Sequence, residues 1–249
     1  MTAALIIRDA EIRRGAAPGE LGFRLEVEAL DVGFGERLGL VGPSGAGKST
    51  LLELAALLAW PTRVGRFDLC GRSLADLICG RDADGAARER ARELAYAPQN
   101  GGLLPYLSVR ENALLAARLA RKPMDGVGPR VETLAARLGI AALLDKRPNR
   151  LSGGERQRAA VLRMAVAEAR LFLADEPTAS LDRANGETVM AALVDAAEGA
   201  GAALVCVSHD RGLLERFGFE LAEVTAELDA AGTERRARLV RRREVASCA

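Results

Sequence analysis

The sequence predicts an α/β fold in which a mainly parallel sheet forms the core. Three short apolar runs have the length and composition of buried strands, at Leu38–Val41, Leu171–Ala174 and Ala203–Val207. Helical patterns lie between these runs, and that alternation favours parallel packing of the strands. Ligands of such sheets bind beyond the carboxyl ends of the strands. The residues that follow the runs, among them Asp175 and His209, are therefore the first candidates for a functional site.

The composition of the chain is that of a folded protein. Its 249 residues are 49% hydrophobic and 28% charged, which excludes a disordered tail protein and supplies enough apolar side chains for a core. Lysine and arginine total 35 against 34 aspartate and glutamate, a formal net charge of +1. We therefore expect no general attraction to anionic lipid and no specific nucleic-acid partner.

Cysteine usage and hydropathy bear on the location of the chain. The cysteines are scattered without a C-x-x-C pair, which is typical of reduced thiols in a cytosolic protein: Cys70, Cys79, Cys206 and Cys248. The longest apolar run, Leu51–Trp60, contains Glu53 and is shorter than the ~18 residues of a membrane-spanning helix. We expect that the chain does not cross a membrane by itself.

The amino-terminal part begins with two predicted strands, Ala4–Ile7 and Phe23–Leu30, separated by a turn at Gly15–Gly19 that contains glycine and proline. A helix is predicted over Thr50–Ala59, after the first buried strand. The charged, alanine-rich segment Gly80–Glu93 is interpreted as a solvated helix or loop.

Helical patterns dominate the middle of the chain after a fourth predicted strand at Leu94–Ala97. Helices are predicted over Val109–Arg121 and Val131–Leu144, separated by glycine and proline in residues 123–129. A further helix begins near Gly153 and continues to Arg170.

The carboxyl end is basic. Glu234–Glu244 carries six arginines, and a turn at Ala231–Gly232 predicts an exposed hairpin over about residues 219–245. A solvated face is the favoured interpretation of this segment, and contact with anionic lipid or nucleic acid is the alternative.

The segment after the first buried strand fits the pattern G-x-x-x-x-G-K-[ST]. Its glycines let the loop curl so that backbone N–H groups converge on an anion at a helix N-terminus. Lys48 would reach the β- and γ-phosphates, and the Ser49 hydroxyl would ligate Mg²⁺. The strand-loop-helix context disfavours an accidental glycine-rich turn. The predicted nucleotide-binding residues are Gly42, Pro43, Ser44, Gly45, Ala46, Gly47, Lys48, Ser49 and Thr50.

A second helix in the sequence also begins at glycines. Ser152 followed by Glu155 is a capping box, and the helix starts at Gly153 and Gly154. Its bare N–H groups and its dipole make another anion site. In isolation this segment is equally well an ordinary helix cap, but with the first loop it gives the chain two predicted phosphate-binding helix starts.

Carboxylates and a histidine follow the other two buried strands. Asp175 suits the Mg²⁺ shell, and Glu176 suits polarising a water that attacks the γ-phosphate. His209 is the only histidine, and the sheet would deliver it to the phosphates. Gln99, after the strand at Leu94–Ala97, could reach Mg²⁺ or the attacking water. Taken singly, each of these residues has an ordinary structural interpretation.

In their order along the chain, these segments resemble the motifs of ATP-binding cassette (ABC) ATPases, over about residues 4–215. Gly42–Thr50 is similar to the Walker A loop of that family, Gln99 to its Q-loop and Leu171–Glu176 to its Walker B strand with the catalytic glutamate. His209 is similar to the H-loop. The remaining two motifs are the signature and the D-loop. The signature is Leu151–Gln157, with site residues Leu151, Ser152, Gly153, Gly154 and Glu155, and the D-loop is Ser180, Leu181 and Asp182.

The resemblance implies a fold, cofactors and catalytic residues. The fold is that of a P-loop NTPase: a mainly parallel core sheet, an antiparallel β subdomain and a helical subdomain at about residues 98–165, within one ATPase domain over residues 1–249. The implied cofactors are ATP and Mg²⁺. The implied catalytic residues are Lys48, Gln99, Glu176 and His209, and the implied Mg²⁺ ligands are Ser49, Gln99 and Asp175.

The resemblance also implies partners. Two ATPase domains of this family pack head to tail, and each ATP lies between the Walker A loop of one subunit and the signature of the other. Because each motif occurs once in this chain, the partner would be a second copy or a homologous ATPase. Hydrolysis would then remove the charge that holds the dimer closed.

Two segments favour a transport ATPase within this family. Leu103–Asn112 resembles the stretch after the Q-loop of bacterial transporters, and Ala174–Asp182 is similar to lipoprotein-release and macrolide-export ATPases. Such an ATPase would work with an integral-membrane permease docked near the Q-loop, and would sit in the cytoplasm on the inner face of the cell membrane. A non-transport member, such as the iron–sulfur assembly type, is the alternative.

The first strand departs from the family pattern. Members usually place there an aromatic residue that stacks on adenine, whereas Arg13 and Arg14 occupy that region here. A guanidinium can also lie flat on a base, so either arginine could take that role. Phe23 is the nearby aromatic residue, and its place in a strand predicts that it belongs to the core.

Overall fold

The computed structural model describes residues 3–15, 21–120 and 123–241. Its strands are β1 (Ala3–Arg14), β2 (Gly22–Gly33), β3 (Arg37–Val41), β4 (Arg66–Leu69), β5 (Arg72–Ser73), β6 (Leu94–Ala97), β7 (Leu171–Asp175), β8 (Ala203–Val207), β9 (Glu220–Leu228) and β10 (Glu234–Arg241). Its α-helices are α1 (Lys48–Ala55), α2 (Ala75–Cys79), α3 (Ala83–Glu93), α4 (Val109–Leu119), α5 (Val127–Arg137), α6 (Gly153–Val166), α7 (Arg183–Gly199) and α8 (Arg211–Arg216). Within these residues the strands form one sheet in the order β5-β4-β1-β2-β10-β9-β3-β8-β7-β6.

One half of the sheet is parallel, as the sequence predicts. β9, β3, β8, β7 and β6 are neighbours and all run in the same direction. The predicted strands at Leu38–Val41, Leu94–Ala97, Leu171–Ala174 and Ala203–Val207 are confirmed. β7 and β8 are buried along their whole length, which explains their uninterrupted apolar sequences. Because these strands are parallel, their carboxyl ends meet at one edge.

The other half is largely antiparallel, and two of its strands are longer than predicted. β1 pairs antiparallel with β2 and with β4. The alternation of buried and exposed residues in β1 breaks at Arg8 and Asp9, which are both exposed, and Asp9 has a φ of 50°. Because of that break, the sequence pattern does not indicate that the strand continues to Arg14. The predicted turn at Gly15–Gly19 lies mostly outside the described residues.

Several helix boundaries differ from the predicted ones where a residue takes a left-handed backbone conformation. α1 is shorter than the predicted 50–59 helix, because Leu57 has a φ of 57°. α6 stops at Val166 rather than at 170, and Glu168 just beyond it has a φ of 49°. Left-handed positions outside glycine are uncommon, so a sequence gives little warning of them.

α5 starts earlier than the sequence predicts. The helix spans 127–137 instead of 131–144, and Gly139, with a φ of 65°, follows its end. Pro129 lies in the first helical turn, where its missing N–H costs no hydrogen bond. Pro129 therefore belongs to the first turn of α5 and does not separate this helix from the preceding one. Arg121, the predicted end of the preceding helix, lies outside the described residues.

The carboxyl-terminal hairpin is inserted in the sheet, which corrects the prediction of an exposed hairpin. β10 pairs antiparallel with β9 and parallel with β2, while β9 pairs parallel with β3. The hairpin therefore joins the two halves of the sheet. Its inner face carries Ala237, which is fully buried, and its outer face carries the exposed Arg236 and Arg238. Residues 242–245 of the predicted basic segment lie outside the described residues.

Apolar layers cover both faces of the sheet. Consecutive residues of β7 enter different layers: Phe172 and Ala174 join one, and Leu171 and Leu173 join the other. The first layer is completed by buried residues of α4 to α7, and the second by those of α1. The edge that carries the candidate site therefore rests on rigid elements. Across the described ranges, no helix is both long and apolar enough to cross a membrane.

Candidate nucleotide-binding and catalytic site

The loop between β3 and α1 has glycine where a side chain would not fit. Gly42 has a φ of +143°, and a Cβ there would lie 2.2 Å from the backbone oxygen of Val224 on β9. Gly47 precedes α1 with a φ of +97°, and a Cβ there would lie 2.7 Å from Cζ of Phe23 on β2. The loop is thus pressed against the sheet, and the first N–H groups of α1 are left for an anion.

Lys48 is held inside this loop. The residue is only 5% exposed, and Nζ donates hydrogen bonds to the carbonyl oxygens of Gly42 and Pro43, each at 2.9 Å. Burial lowers the pKa of Lys48, and the charges of Glu176 and Asp175 oppose that shift. The ammonium group is therefore held within the loop, close to the carboxylates of Asp175 and Glu176 at the end of β7.

Asp175 is a buried carboxylate with an unused oxygen. Oδ1 has no hydrogen-bond partner among the described residues. Burial raises the pKa of Asp175, and a hydrogen bond with the Ser49 hydroxyl opposes the rise. Mg²⁺ prefers carboxylate and hydroxyl oxygens, and usually few of them from the protein. The pair of Asp175 and Ser49 fits such an ion.

Glu176 and His209 meet at the ends of neighbouring strands. Nε2 of His209 lies 2.8 Å from Oε1 of Glu176, and the backbone N–H of Glu176 donates to the carbonyl of Val207 at 3.0 Å. Glu176 has a φ of 50°, a strained conformation typical of functional sites. The side chain of Glu176 is 16% exposed and that of His209 is 54% exposed. The carboxylate is therefore sheltered, while the imidazole is open to a ligand.

The second predicted anion site has the expected cap. The Ser152 hydroxyl accepts from the N–H of Glu155 at 3.3 Å, and the Glu155 carboxylate accepts from the N–H of Ser152 at 2.7 Å. Gly154, the second residue of α6, lies close to the predicted D-loop, since a Cβ there would be 2.8 Å from Cδ2 of Leu181 and 3.3 Å from the backbone oxygen of Ser180. This helix start therefore packs against the predicted D-loop of the same chain. Asp182 ends that loop as the N-cap of α7 and accepts from the N–H of Asn185 at 2.9 Å.

Gln157 ends the predicted signature segment, and the structure gives it a positioning role that the sequence does not indicate. Its buried side-chain amide donates to the carbonyl of Glu176 at 3.3 Å and accepts from the N–H of Ser180 at 3.0 Å. One side chain of α6 thereby joins the candidate catalytic glutamate to the D-loop. A glutamine four positions after a helix start gives no pattern from which this role could be predicted.

For the remaining predicted residues the structure gives the position and exposure but no contact that indicates a role. Gln99 is exposed in the loop after β6, and among the described residues its amide makes no hydrogen bond, so its role as a Mg²⁺ ligand stays a prediction. Ala46 and Thr50 are buried within the phosphate-binding loop, whereas Ser44 and Gly45 are exposed at its surface.

A row of side chains crosses β1, β2 and β10 on the face toward the loop. Phe23 is paired in the sheet register with Arg14 on one side and with Arg235 on the other. Directly paired residues share a face of a sheet. The ring of Phe23 lies against Gly47, so Phe23 is both packed on the core, as predicted, and part of the wall of the loop.

The position of this row distinguishes between Arg13 and Arg14, the two arginines of β1 that could stack on the base. Arg14 lies on the face of Phe23, and its guanidinium pairs with Glu53 of α1 at 2.5 Å. Arg13 is the preceding residue and therefore points to the opposite face, where it pairs with Glu11. Of the two arginines considered for base stacking, only Arg14 is on the side of the loop.

The class of protein follows from this geometry together with a family match. The family model described as ABC transporter matches residues 25–179, which is more than half of the chain and includes the loop, the capped glycine helix and the two carboxylates. The chain belongs to the ABC transporter family, and it is an ATP-hydrolysing ABC domain.

Particular relatives are named for transport. The chain is 39% identical over 190 residues to the lipoprotein-releasing system ATP-binding protein LolD of Maricaulis maris, covering 76% of this chain and 80% of the relative. It is 37% identical over 208 residues to the macrolide export ATP-binding/permease protein MacB 1 of Aeromonas hydrophila, covering 82% of this chain and 31% of that longer protein. A dimeric ATP-binding cassette solved in a post-hydrolysis state with ADP and Pi has a TM-score of 0.77 and 29% identity, covering 88% of this chain and 93% of that one.

Proposed function

We propose that this chain is the ATP-hydrolysing subunit of a membrane transporter of the lipoprotein-release and macrolide-export group. The proposal rests on one observation: two pairs of side chains lie together at one edge of the sheet. Asp175 and Ser49 lie beside Lys48, and Glu176 and His209 lie at the adjoining strand ends. These pairs supply what phosphoryl transfer to water requires, namely phosphate binding, metal ligation and orientation of the water.

We assign the steps of hydrolysis to these residues. The loop amides and Lys48 bind the phosphates, and Ser49, Asp175 and Gln99 would hold Mg²⁺. Bound Mg²⁺ would neutralise charge on the phosphates. Glu176 orients the attacking water and accepts its proton, so that ATP and water become ADP and phosphate.

The proposal includes a second ATPase subunit. Ser152 is exposed at the start of α6, and its helix start packs on the D-loop of its own chain. We propose that this start binds the γ-phosphate of ATP held by the Walker A loop of the partner. The dimeric cassette that resembles this chain in fold supports the arrangement. In this account residues 98–165 act as the helical subdomain and residues 219–245 as the basic hairpin of one ATPase domain.

A membrane permease is the proposed third component, at the inner face of the cell membrane. A groove of about 340 Å³ opens between α3, β6, α4 and α6, beside the segment after Gln99. Its apolar lining includes Ala87, Ala91, Leu115 and Leu119, and Leu119 is 57% exposed. We propose that an apolar segment of the permease docks here. The names of the relatives support transport over the iron–sulfur assembly alternative.

Substitution of Leu119 tests the docking site. Leu119→Asp should abolish co-purification with a co-expressed permease subunit and leave basal ATP hydrolysis unchanged, because the groove lies apart from Glu176. Val240→Asp is the matched control, since Val240 is 48% exposed on the outer face of β10. If the unmodified chain binds no membrane subunit, the proposed role in transport is wrong. If both variants bind the permease subunit equally, the groove is not its docking site.

A further inference from the structure

Arg235 occupies the inner face of the carboxyl-terminal hairpin. Side chains alternate between the faces of a strand, so Arg235 shares its face with Ala237 and Leu239. Ala237 is fully buried against Gly47, and Leu239 packs on the apolar layer around α1. Arg235 is thus a charged residue beside Ala237 and Leu239 on the face that covers the phosphate-binding loop.

The guanidinium of Arg235 reaches the phosphate-binding loop. A Cβ built on Gly45 would lie 2.8 Å from Nη1 of Arg235. Gly45 has a φ of +73° and is exposed in the middle of the loop. A glycine at this position therefore leaves the space that the arginine occupies.

Arg235 differs from the arginines around it in its pairing. Arg236 pairs with Glu234 at 3.2 Å, Arg238 with Glu26 at 3.1 Å, and Arg24 on β2 with Glu234 at 3.1 Å. Across residues 3–15, 21–120 and 123–241 no carboxylate lies within ion-pair distance of Arg235. Arg235 is half-buried and lies against a loop that binds anions. Because the neighbouring arginines are paired and Arg235 is not, we infer that its counter-charge is a bound ligand.

We propose that Arg235 is a second side-chain cation for the phosphates of the nucleotide bound by the same subunit. The inference rests on the proposed function of the loop and adds to Lys48 a residue from the far end of the chain. The row on the sheet gives its position: Arg14 lies toward the loop from β1, Phe23 covers Gly47, and Arg235 covers Gly45. Arg235 therefore contacts the phosphate chain, and Arg14 and Phe23 are left for the nucleoside.

The hairpin that delivers Arg235 is fixed by the sheet. β10 is hydrogen-bonded to β2 on one side and to β9 on the other, and β9 is paired with β3, whose end begins the loop. The guanidinium thus approaches from the opposite end of the sequence on a rigid element. An Arg fork also binds phosphate oxygens in a bidentate manner.

Titration with two ligands tests the assignment. Kd is measured by calorimetry for ADP and for inorganic tripolyphosphate, with the unmodified chain, Arg235→Gln and Arg236→Gln. Arg235→Gln should raise both Kd values about tenfold, because a charge-assisted contact is lost. Arg236→Gln, on the outer face of the same strand, should change them less than about twofold. Arg235→Lys should recover part of the loss.

Other results would overturn the assignment. If Arg235→Gln and Arg236→Gln bind both ligands alike, Arg235 is not a ligand of the nucleotide. If the affinity for ADP falls but that for tripolyphosphate does not, the guanidinium acts on the nucleoside and the assignment is equally wrong. Thermal unfolding of each variant identifies a folding defect. If Arg235→Gln has such a defect, the Kd values of Arg235→Lys test the assignment in its place.

Lys48→Ala separates this inference from the function on which it rests. If Lys48→Ala loses affinity for ADP while Arg235→Gln retains it, the inference fails and the nucleotide site stands. If the unmodified chain and Lys48→Ala bind ADP equally, the proposed nucleotide site itself is wrong.

Discussion

Nε2 of His209 lies 2.8 Å from Oε1 of Glu176, so the ends of β8 and β7 are joined by their side chains. The two strands are parallel neighbours, and the backbone N–H of Glu176 is bonded to the last residue of β8. His209 therefore fixes the direction of a carboxylate whose backbone is already constrained by a φ of 50°. A carboxylate oriented in this way can receive the proton of a water beside the phosphates.

Replacement of Glu176 tests this role. Glu176→Gln should retain nucleotide binding and reduce ATP turnover by at least about a hundredfold, because the amide cannot accept the proton of the water. His209→Ala should also reduce turnover, since Glu176 loses its orienting contact. Phosphate release under saturating ATP measures both variants, with Arg236→Gln as an exposed control. A Glu176→Gln variant that hydrolyses ATP at the unmodified rate would show that another group activates the water.

We expect Lys48 to contribute more to nucleotide binding than to the later steps of ATP hydrolysis. Its Nζ donates to two loop carbonyls and lies near the candidate metal carboxylate, so it is ready for a phosphate. Lys48→Ala should weaken nucleotide binding by about 1.5–3 kcal/mol, roughly 10- to 150-fold in Kd. Calorimetry with ADP measures the change. An unchanged Kd would remove Lys48 from the site.

Discrimination between bases should be weak. Arg14 is already paired with Glu53, and Phe23 faces the loop without a polar group that could read a base. Stacking tolerates any base because every base has a π-face. We therefore expect kcat/KM for GTP within about tenfold of that for ATP, or less than about 1.4 kcal/mol. A preference for ATP above about a hundredfold would require a base-reading contact that the row on β1, β2 and β10 does not supply.

The candidate site was more predictable from sequence than the elements around it. The phosphate-binding loop, Asp175, Glu176 and His209 each follow a buried apolar strand, and parallel strands must bring such residues to one edge. Boundaries failed where they depend on single backbone conformations, as at Leu57 and Glu168.

Contacts between distant segments could not be predicted. Gln157 bonds to two backbone groups of the predicted Walker B and D-loop segments, and the proposed role of Arg235 depends on the pairing of β10 with β2. Each depends on which strands and helices become neighbours, and strand order is not encoded in a local pattern. For the same reason the sequence favours a solvated hairpin for the arginine-rich end, because its alternation fits an exposed strand and an inserted one equally.

The exposed start of α6 should control assembly. Ser152→Arg should prevent ATP-dependent association, because a long side chain would crowd the γ-phosphate of the partner. Arg150→Lys is a suitable control, since it keeps the charge at an exposed residue just before the signature. Sedimentation of both variants in the Glu176→Gln background measures the effect. Association of the Ser152→Arg variant at the level of the control would contradict the head-to-tail arrangement.

We propose that ATP closes two copies of this domain around two nucleotides. The most direct test of this proposal is the molar mass of the Glu176→Gln variant in solution, measured by multi-angle light scattering with and without ATP and Mg²⁺. We predict the mass of one chain, 26.3 kDa, without nucleotide, and about twice that mass with ATP. A single-chain mass at saturating ATP would contradict the account.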